Sequence, residues 1–395
     1  MSVSSLGVHG KRVFVRVDYN VPVGPDGAVT DDRRIRETVP TLRAILDGGG
    51  SLVLASHLGR PKGRRDPKYS LAPCSGALAP LLGAPVTAAP DCVGNEAAAM
   101  ARSLAPGGVL LLENLRFHPQ EEANEPEFAA SLASLADLYV NDAFGSAHRS
   151  HASVAEICRH FKTPAAGLLM EREIAYLSRL MEAPAKPYCA VLGGAKVSDK
   201  IELIENLLTR IDTLIIGGAM AYTFLKARGV EIGASLLEAD KVDLARDLEE
   251  KARSRGVRLI LPVDHVEAAS ESEAPGKLTT AEAITAGCKA FDIGPRTSTL
   301  FSDEIGRART ILWNGPMGKF EVKGFATGTR RIASAIAAAT DRGSLSVVGG
   351  GDSAAAVKAF GLEGRLSHIS TGGGASLEFL SGRILPGVAA LADAG

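Results

Sequence analysis

Short apolar runs alternate with helical patterns along the whole chain. Such runs, set between helical patterns, are typical of buried strands. They predict strands at Val13–Val17, Leu52–Ala55, Val109–Leu112, Leu138–Val140, Cys189–Leu192, Thr213–Ile216, Leu259–Leu261, Ile311–Trp313 and Ser346–Val348. Strands that alternate with helices in this way predict βαβ units and a mainly parallel sheet.

A single open sheet with so many strands would be unusual, so we expect two α/β domains. The helical pattern of Met170–Leu177 precedes Pro184 and Pro187, two residues that end helices. We therefore expect the domain boundary near Glu171–Lys186. The predicted fold class is α/β, with two doubly wound, mainly parallel-sheet domains joined by a hinge helix.

A glycine-rich turn follows the predicted strand Ser346–Val348. Gly349–Gly351 interrupt the apolar run, Asp352 or Ser353 can cap a helix, and Ala354–Phe360 are good helix formers. The first N–H groups of a helix have no partner within the helix and carry partial positive charge. Because glycine has no side chain to keep an anion away, this turn predicts a phosphate site.

Two further turns of the same kind strengthen this interpretation. Gly372–Gly374 follow Ile369, and Gly193–Gly194 follow the predicted strand Cys189–Leu192. A single turn could be an ordinary glycine-rich βα connection. Three of them after three strands can converge at one sheet edge, where α/β proteins bind ligands.

In the first half of the chain, basic residues instead follow the strands or open a helix. They occur in the segments Asp32–Arg36, Ser56–Gly63, Glu113–His118 and Ala147–His151, and the polar segment Asp18–Pro22 follows the first strand. Solvated arginines are the ordinary alternative, but the repeated placement after strands favours one convergent anion pocket. Arginine suits phosphate and carboxylate because its planar fork binds two oxygens at once.

The composition excludes several other classes of protein. The chain has 395 residues, of which 46% are hydrophobic, an ordinary globular composition, and its net charge of −1 argues for neither a nucleic-acid nor an anionic-membrane partner. No secretory signal or membrane-length apolar stretch is present, and five scattered cysteines indicate reduced thiols in a cytosol. His148 and His151 lack the neighbouring ligands of a metal site.

Each half therefore carries its own predicted anion site, which suits phosphoryl transfer between two anionic substrates. At this point the sequence closely resembles the phosphoglycerate kinase family over essentially its full length. The motifs that carry the resemblance are Arg16–Pro22, Ser56–Pro61, Leu112–Phe117, Gly193–Lys200, Trp313–Gly318, Gly349–Ser353 and Ser370–Ser376. Together these motifs are highly specific, whereas any single one would be weak.

The resemblance implies reversible, Mg²⁺-dependent phosphoryl transfer in glycolysis between 1,3-bisphosphoglycerate with ADP and 3-phosphoglycerate with ATP. It implies a cytoplasmic, hinge-bending monomer that binds neither nucleic acid nor membrane. The implied phosphoglycerate-binding domain covers residues 1–170 and a C-terminal tail of about 380–395. Residues 171–186 would form the interdomain helix and hinge, and residues 187–379 the nucleotide-binding domain.

The resemblance also implies site residues. The substrate-binding set is Asp18, Asn20, Arg34, His57, Leu58, Gly59, Arg60, Arg116 and Arg149. The nucleotide-binding set is Lys196, Lys200, Gly217, Gly218, Gly294, Asn314, Pro316, Glu321, Gly350, Gly351, Asp352 and Ser353. Arg34, Lys200, Gly351 and Gly373 would act on the transferring phosphoryl group, and Asp352 would ligate Mg²⁺.

Two departures from the family pattern leave the expected activity intact. Tyr19 stands where phenylalanine is usual, and Lys319 occupies a commonly apolar position. Neither removes a charged or glycine position. Lys319 could change the affinity for nucleotide slightly in either direction.

Two alternative functions belong to other classes. A nicotinamide dehydrogenase is suggested by Gly349–Ala354, which satisfies G-x-G-x-x-A, but the acidic residue expected about 20 positions later is missing. A polyanion-binding module could use the basic loops of residues 33–65. It would need aromatic stacking residues, and only Tyr19 and Tyr69 are near.

Overall fold

The computed structural model describes residues 1–393. The chain divides into two compact units, one formed by Met1–Ala175 with the segment from Ile384 onward, and the other by Tyr176–Arg383. The division falls inside a helix, Leu168–Met181, which includes the predicted helical run Met170–Leu177. Residues 394 and 395, the end of the predicted tail, lie outside the described residues.

The first unit is built on a six-stranded parallel sheet. Its strands are β1 Arg12–Arg16, β2 Ser51–Ala55, β3 Val86–Ala88, β4 Val109–Leu111, β5 Leu138–Asn141 and β6 Ala165–Ala166, in the order β3-β4-β2-β1-β5-β6. Its helices are α1 Arg33–Asp47, α2 Ala72–Leu82, α3 Gly94–Arg102, α4 Pro119–Glu122 and α5 Pro126–Ala133, and α6 Leu168–Met181 begins here. All five residues of β2 are buried, as expected for a parallel strand covered on both faces.

Helix α1 shows how the sequence directs this packing. Ile35, Thr38, Leu42 and Ile45 are buried and recur at helical spacing along one face. The helix begins after Asp32, so Arg34 lies in its first turn. The C-terminal helix α14, Pro386–Asp393, also belongs to this unit, where the Gly387 N–H donates to the Ala147 carbonyl at 2.8 Å.

The second unit holds another six-stranded parallel sheet and a small antiparallel one. The parallel strands are β7 Tyr188–Leu192, β8 Thr213–Ile216, β9 Arg258–Ile260, β13 Thr310–Asn314, β14 Leu345–Gly349 and β15 His368–Ile369, in the order β15-β14-β13-β7-β8-β9. The antiparallel strands are β10 His265–Ala268, β11 Lys277–Leu278 and β12 Lys289–Ile293. The helices are α7 Ile201–Leu207, α8 Ala221–Ala227, α9 Val242–Ser254, α10 Pro295–Arg307, α11 Thr327–Asp341, α12 Gly351–Ala359 and α13 Gly374–Leu380.

The strand order reverses direction between β7 and β13 in this second sheet. The chain runs outward from β7 through β8 to β9 on one side, and from β13 through β14 to β15 on the other. Such a switch point leaves a crevice at the carboxyl ends of the strands, where ligands bind in open α/β sheets. The hydrophobic core of the second unit includes Val191, Ile215 and Trp313.

The predicted fold class and every predicted strand are confirmed, with each strand end within one residue of its predicted position. The predicted cap of α12 is wrong. The helix begins at Gly351, and Gly350 precedes it with φ +89°, a conformation that favours glycine over Asp352 or Ser353. The antiparallel sheet was not predicted. None of the helices among residues 1–393 is both long and apolar enough to cross a membrane.

Candidate active site

In the first unit, the predicted basic segments and the polar segment after β1 lie at one edge of the sheet. Asp18 and Asn20 follow β1, His57 and Arg60 follow β2, and Arg116 follows β4. Strands β4, β2 and β1 are parallel neighbours, so their carboxyl ends lie side by side. Arg149 comes from the loop after β5, which pairs with the other side of β1.

Three hydrogen bonds join these segments directly. Arg34 Nη1 donates to Asp18 Oδ1 at 2.9 Å, which orients the guanidinium from the first turn of α1. The Gly59 N–H donates to Asn20 Oδ1 at 2.9 Å, while the Gly59 carbonyl accepts from Arg116 Nη1 at 2.8 Å. Gly59 thus couples the loop after β1 to the loop after β4.

Gly59 must be glycine at this crossing. Its φ is +62°, and a Cβ would lie 2.4 Å from two carbons of the Tyr69 ring. The neighbouring Leu58 is buried, and its carbonyl accepts from Asn114 Nδ2 at 2.7 Å. These contacts fix the backbone that carries His57 and Arg60 on either side.

Arg116 is buried with donors left free. Its Nη2 has no hydrogen-bond partner among residues 1–393, and its Nε lies 3.2 Å from Glu122 Oε1 without hydrogen-bond alignment. Burial lowers the pKa of Arg116 to about 10, opposed by the nearby Glu122 carboxylate. A buried guanidinium with open donors is expected to bind an anion.

The other basic residues differ in exposure. Arg60 is exposed. Arg149 is half-buried, and its Nε donates to His148 Nε2 at 3.2 Å. His57 is buried, and burial together with the Arg16 charge holds its pKa well below the ordinary value. The pKa of His151 is also lowered, to about 3, by burial and by neighbouring cations.

A buried network behind these residues was missed from the sequence. Arg16 Nε donates to Ser153 Oγ at 2.8 Å, and Ser153 Oγ donates to Glu121 Oε1 at 2.6 Å. Glu121 is fully buried, and burial raises the pKa of its carboxyl. The one available signal was an arginine, Arg16, within the otherwise apolar predicted strand Val13–Val17.

In the second unit, the glycine turns after β7, β8 and β13 lock together. The Gly194 N–H donates to the Pro316 carbonyl at 3.0 Å, and the Gly218 N–H donates to the Met317 carbonyl at 3.2 Å. A Cβ on Gly218 would lie 2.5 Å from the Gly194 nitrogen. A Cβ on Gly217 would lie 2.4 Å from Met317 Sδ. Side chains are therefore excluded from this part of the sheet edge.

Charged residues border the same turns. Lys200 is half-buried next to Asp199 and Asp352, and burial lowers its pKa while the two carboxylates oppose that shift. Lys196 is exposed on the loop before it. Asp352 is exposed in the first turn of α12, one residue after Gly351. Lysine and aspartate are thus brought together at the start of α12.

Asn314 and Ser353 are buried next to the glycine turns. Asn314 is buried at the end of β13, and its Nδ2 has no partner among the described residues. This Nδ2 lies 3.1 Å from the position that a Cβ on Gly350 would take. Ser353 Oγ accepts from the Gly315 N–H at 2.6 Å. The free amide donor is therefore available to an anion at the glycine turn.

The remaining predicted residues of this unit are Gly373, Gly294 and Glu321. Gly373 precedes α13 with φ +49°, and a Cβ there would meet open space. Gly294 precedes α10, where a Cβ would lie 2.3 Å from Asp264 Cγ. Glu321 is exposed, and nearby Lys319 forms an ion pair with Glu271. Within residues 1–393, neither Gly294 nor Glu321 is hydrogen-bonded to the locked turns.

One other cluster could in principle hold a metal ion. Ligand atoms of Asp91, Cys92 and His118 all lie within 4.8 Å of one another. Asp91 Oδ1 is already 2.7 Å from His118 Nε2, and Arg65 Nη1 lies 4.0 Å from Asp91 Oδ2. Burial raises the pKa of Cys92 well above its ordinary value, which disfavours the thiolate. We assign no ion to this cluster.

Comparison with known proteins gives a consistent result over the full chain. The family model described as phosphoglycerate kinase matches residues 3–383. A phosphoglycerate kinase of Koribacter versatilis is 54% identical over 401 residues, which span 100% of this chain and 99% of that relative. A phosphoglycerate kinase of Chlorobium phaeovibrioides is 52% identical over 393 residues, which span 99% of each chain.

Solved structures agree with the sequence comparison. The phosphoglycerate kinase structure from Coxiella burnetii superposes with a TM-score of 0.88 at 41% identity, covering 100% of this chain and 99% of that one. The structure from Pyrococcus horikoshii gives a TM-score of 0.87 at 33% identity with the same coverage. The chain therefore belongs to the phosphoglycerate kinase family and is a glycolytic kinase, a phosphotransferase with ATP and ADP as substrates and a carboxyl group as acceptor.

Proposed function

We propose that the basic sheet edge of the first unit binds 3-phosphoglycerate or 1,3-bisphosphoglycerate, and that the glycine turns of the second unit bind ATP or ADP. The observation that carries this proposal is the buried Arg116, whose Nη2 has no hydrogen-bond partner among residues 1–393. Leaving such a donor unsatisfied is unfavourable, and a phosphate or carboxylate oxygen would complete it.

The substrate-binding set on this proposal is the one that the family resemblance implies. Asp18 orients Arg34. The hydrogen bond between Asn20 and Gly59 holds the two loops together, and Arg116 contributes its open donors. The full set is Asp18, Asn20, Arg34, His57, Leu58, Gly59, Arg60, Arg116 and Arg149. The phosphoglycerate-binding domain would cover residues 1–170 with the tail of about 380–395.

The nucleotide side would use backbone donors rather than arginines. Gly350 and Gly351 bring the start of α12 close to a phosphate, with the free Asn314 amide and the Lys200 ammonium beside them. The full set is Lys196, Lys200, Gly217, Gly218, Gly294, Asn314, Pro316, Glu321, Gly350, Gly351, Asp352 and Ser353. The nucleotide-binding domain would cover residues 187–379, and residues 171–186 would form the hinge.

The chemistry needs no general base from the protein. The acceptor carboxylate has an ordinary pKa near 4, so it is ionised at pH 7. One of its oxygens forms the new bond to the γ-phosphorus of ATP as the bond to the β-phosphate oxygen breaks and ADP leaves. Charge spreads over the outer oxygens of the phosphoryl group, and Arg34, Lys200 and the N–H groups of Gly351 and Gly373 would stabilise that charge.

The residues at the start of α12 fit the magnesium ion that we propose as cofactor. Mg²⁺ in kinases binds one or two carboxylates together with substrate phosphates. Asp352 offers an exposed carboxylate that forms no hydrogen bond or ion pair through its side chain with other residues in 1–393. Asp352 would hold the ion, which when bound neutralises part of the phosphate charge.

The proposal extends to conformation and location. Arg34 and Lys200 belong to different units and must act on one phosphoryl group, so we propose a hinge-bending cycle during turnover. We further propose a cytoplasmic monomer that binds neither nucleic acid nor membrane. The cysteines, all of them free and mostly buried, support a reducing compartment. The dehydrogenase alternative is set aside by membership of a kinase family.

A paired binding experiment tests which unit binds which substrate. Wild-type enzyme is first assayed with 3-phosphoglycerate, ATP and Mg²⁺ in a coupled assay. Arg116→Met is expected to weaken binding of 3-phosphoglycerate and leave the affinity for ATP unchanged in calorimetric titrations, whereas Lys200→Met should do the reverse. A variant that loses both ligands while remaining folded, or that loses neither, would contradict the assignment.

A further inference from the structure

The tautomer of His57 is determined by its neighbour on β1. Arg16 Nη2 lies 3.2 Å from His57 Nδ1. A guanidinium is always charged and can only donate hydrogen bonds, so Nδ1 must be the acceptor. In a neutral ring the proton then resides on Nε2. That atom forms no hydrogen bond with any of residues 1–393, so its N–H remains available to a ligand.

Arg16 is itself fixed by a buried chain of hydrogen bonds. Its Nη1 donates to the Val17 carbonyl, and its Nε donates to Ser153 Oγ at 2.8 Å. Glu121 accepts from Ser153 twice, with Oε1 2.6 Å from Oγ and Oε2 2.9 Å from the backbone nitrogen. Arg16 and Glu121 are both almost completely buried, so the carboxylate supplies the countercharge that a buried guanidinium requires.

The groups around His57 all disfavour the charged form of its ring. Arg34 from α1, Arg116 from the turn after β4 and His151 from the loop after β5 disfavour a charged ring, as does Arg16. His57 is also 6% exposed, and burial disfavours its charged form further. A second proton on this ring would add charge to a cationic cluster.

We infer that Arg16, anchored through Ser153 to Glu121, fixes His57 as the neutral tautomer with its proton on Nε2. His57 then offers the anionic substrate a hydrogen-bond donor without adding to the positive charge of the cluster. Arg16, Ser153 and Glu121 are positioning residues on this view. The functional part rests on the proposed binding of phosphoglycerate at this edge, but the tautomer itself does not.

Nitrogen-15 NMR of the ligand-free enzyme tests the tautomer. The protein has eight histidines, and His57→Gln identifies the resonances of this ring. We expect the pattern of a neutral ring protonated on Nε2 at every pH from 5.5 to 8. A ring protonated on Nδ1, or a charged ring at pH 6, would overturn the inference. Because no substrate is present, this result is independent of the proposed function.

Variants test whether the network is the cause. In Arg16→Met we expect both tautomers to be populated and the ring to titrate nearer its ordinary pKa, while Arg12→Met on the same strand should leave the His57 pattern unchanged. Arg12 pairs with Asp137 at the surface. If Arg16→Met does not fold, the milder variant Ser153→Ala provides the test, and we expect it to shift the same signals. An unaltered His57 pattern in folded Ser153→Ala and Arg16→Met would overturn the role of the network.

A kinetic comparison connects the tautomer to binding. Loss of one charge-assisted hydrogen bond in His57→Gln should raise KM for 3-phosphoglycerate about tenfold and leave KM for ATP unchanged. In Arg16→Met that KM should become dependent on pH between 5.5 and 8, unlike in wild type. A fixed tautomer with an unchanged KM in His57→Gln would overturn the proposed substrate contact and leave the tautomer assignment standing.

Discussion

Glu238 holds Ser198 through both carboxylate oxygens. Oε1 accepts from Ser198 Oγ at 2.5 Å, and Oε2 accepts from the backbone nitrogens of Val197 at 2.5 Å and Ser198 at 3.3 Å. Ser198 lies midway between Lys196 and Lys200, the two lysines proposed to meet the nucleotide phosphates. Glu238 comes from a distant part of the chain and fixes the loop that carries both lysines.

Removing Glu238 should therefore weaken nucleotide binding without affecting the binding of 3-phosphoglycerate. Hydrogen bonds to a charged group contribute about 1.5–3 kcal/mol each, so the free loop should place its lysines poorly. We expect Glu238→Ala to raise KM for ATP about tenfold or more and to leave KM for 3-phosphoglycerate within twofold of wild type. Asp240→Ala, which removes an exposed ion pair with Lys241, is the matched control. An unchanged KM for ATP in Glu238→Ala would refute the role.

Arg34 is expected to matter more for turnover than for binding. Its ion pair with Asp18 leaves the guanidinium side chain 34% exposed, so it is oriented yet accessible. An arginine that stabilises a phosphoryl transition state is worth about 10³–10⁵ in rate. Steady-state kinetics of Arg34→Ala should show a loss of that order in kcat, with the affinity for ATP retained.

The control for Arg34 lies on the same helix. Arg36 pairs with Asp32 at the surface, and Arg36→Ala should leave kcat close to wild type. Turnover of Arg34→Ala within tenfold of wild type would exclude Arg34 from the transition state.

Most of the fold could be predicted from the sequence because buried strands and turns have local sequence patterns. Buried strands such as Thr213–Ile216 stand out as apolar runs covered on both faces, and glycine turns mark their ends. Strands β3 and β6 were missed because the first is largely exposed and the second has only two alanines. Strands β10, β11 and β12 pair antiparallel and carry no run of buried residues long enough to mark them.

The site followed from the sequence only where side chains carry the chemistry. Arginines after strands could be recognised, but Glu121 and Ser153 act through contacts that join residues 32 positions apart. The start of α12 was misplaced because Gly350, with φ +89°, takes the cap position that aspartate or serine usually occupies. Contacts between distant segments depend on the packed fold and leave no mark in local sequence.

Gly59 should not tolerate even a methyl group. Alanine there meets both a left-handed backbone and the Tyr69 ring, whereas Gly27 has φ +78° with open space around it. Gly27→Ala therefore isolates the backbone strain, which is about 1–2 kcal/mol. We expect Gly59→Ala to lower the free energy of unfolding by about 1–3 kcal/mol more than Gly27→Ala does, which is the range for overpacked sites.

The Gly59 substitution also predicts a kinetic change. Since Gly59 contacts Asn20 and Arg116, its displacement should raise KM for 3-phosphoglycerate, with KM for ATP unaffected. Urea unfolding followed by circular dichroism and substrate kinetics check both parts. Equal effects of the alanine at positions 27 and 59 would show that the ring contact is unimportant.

Asp352→Asn should change the requirement for magnesium. Loss of the carboxylate removes the proposed protein ligand, so the Mg²⁺ concentration that supports half-maximal rate should rise about tenfold or more. Glu363→Gln, an exposed acidic residue beyond α12, is the control. Titration of activity with MgCl₂ at fixed ATP measures the effect. A half-saturating concentration equal to that of wild type would remove Asp352 from the metal site.

His265 should make the stability of the second unit depend on pH. Its ring is buried, its Nε2 donates to the Glu282 carbonyl at 3.1 Å, and burial lowers its pKa to about 4. The folded pKa is below the unfolded value near 6.5, so the unfolded chain takes up the proton first. The contribution of His265 to stability is therefore present above pH 6.5 and is lost as pH falls through about 4.

A difference measurement isolates this contribution from other titrating groups. His265→Gln keeps a donor for the Glu282 carbonyl but cannot titrate, so the free energy of unfolding of wild type relative to the variant should fall by about 3 kcal/mol between pH 7 and pH 4. Trp313, the one tryptophan of the chain, is buried in the second unit and reports its unfolding by fluorescence. The exposed His160, replaced by glutamine, should show no such change. A constant difference across this pH range would mean that His265 is not held neutral by the fold.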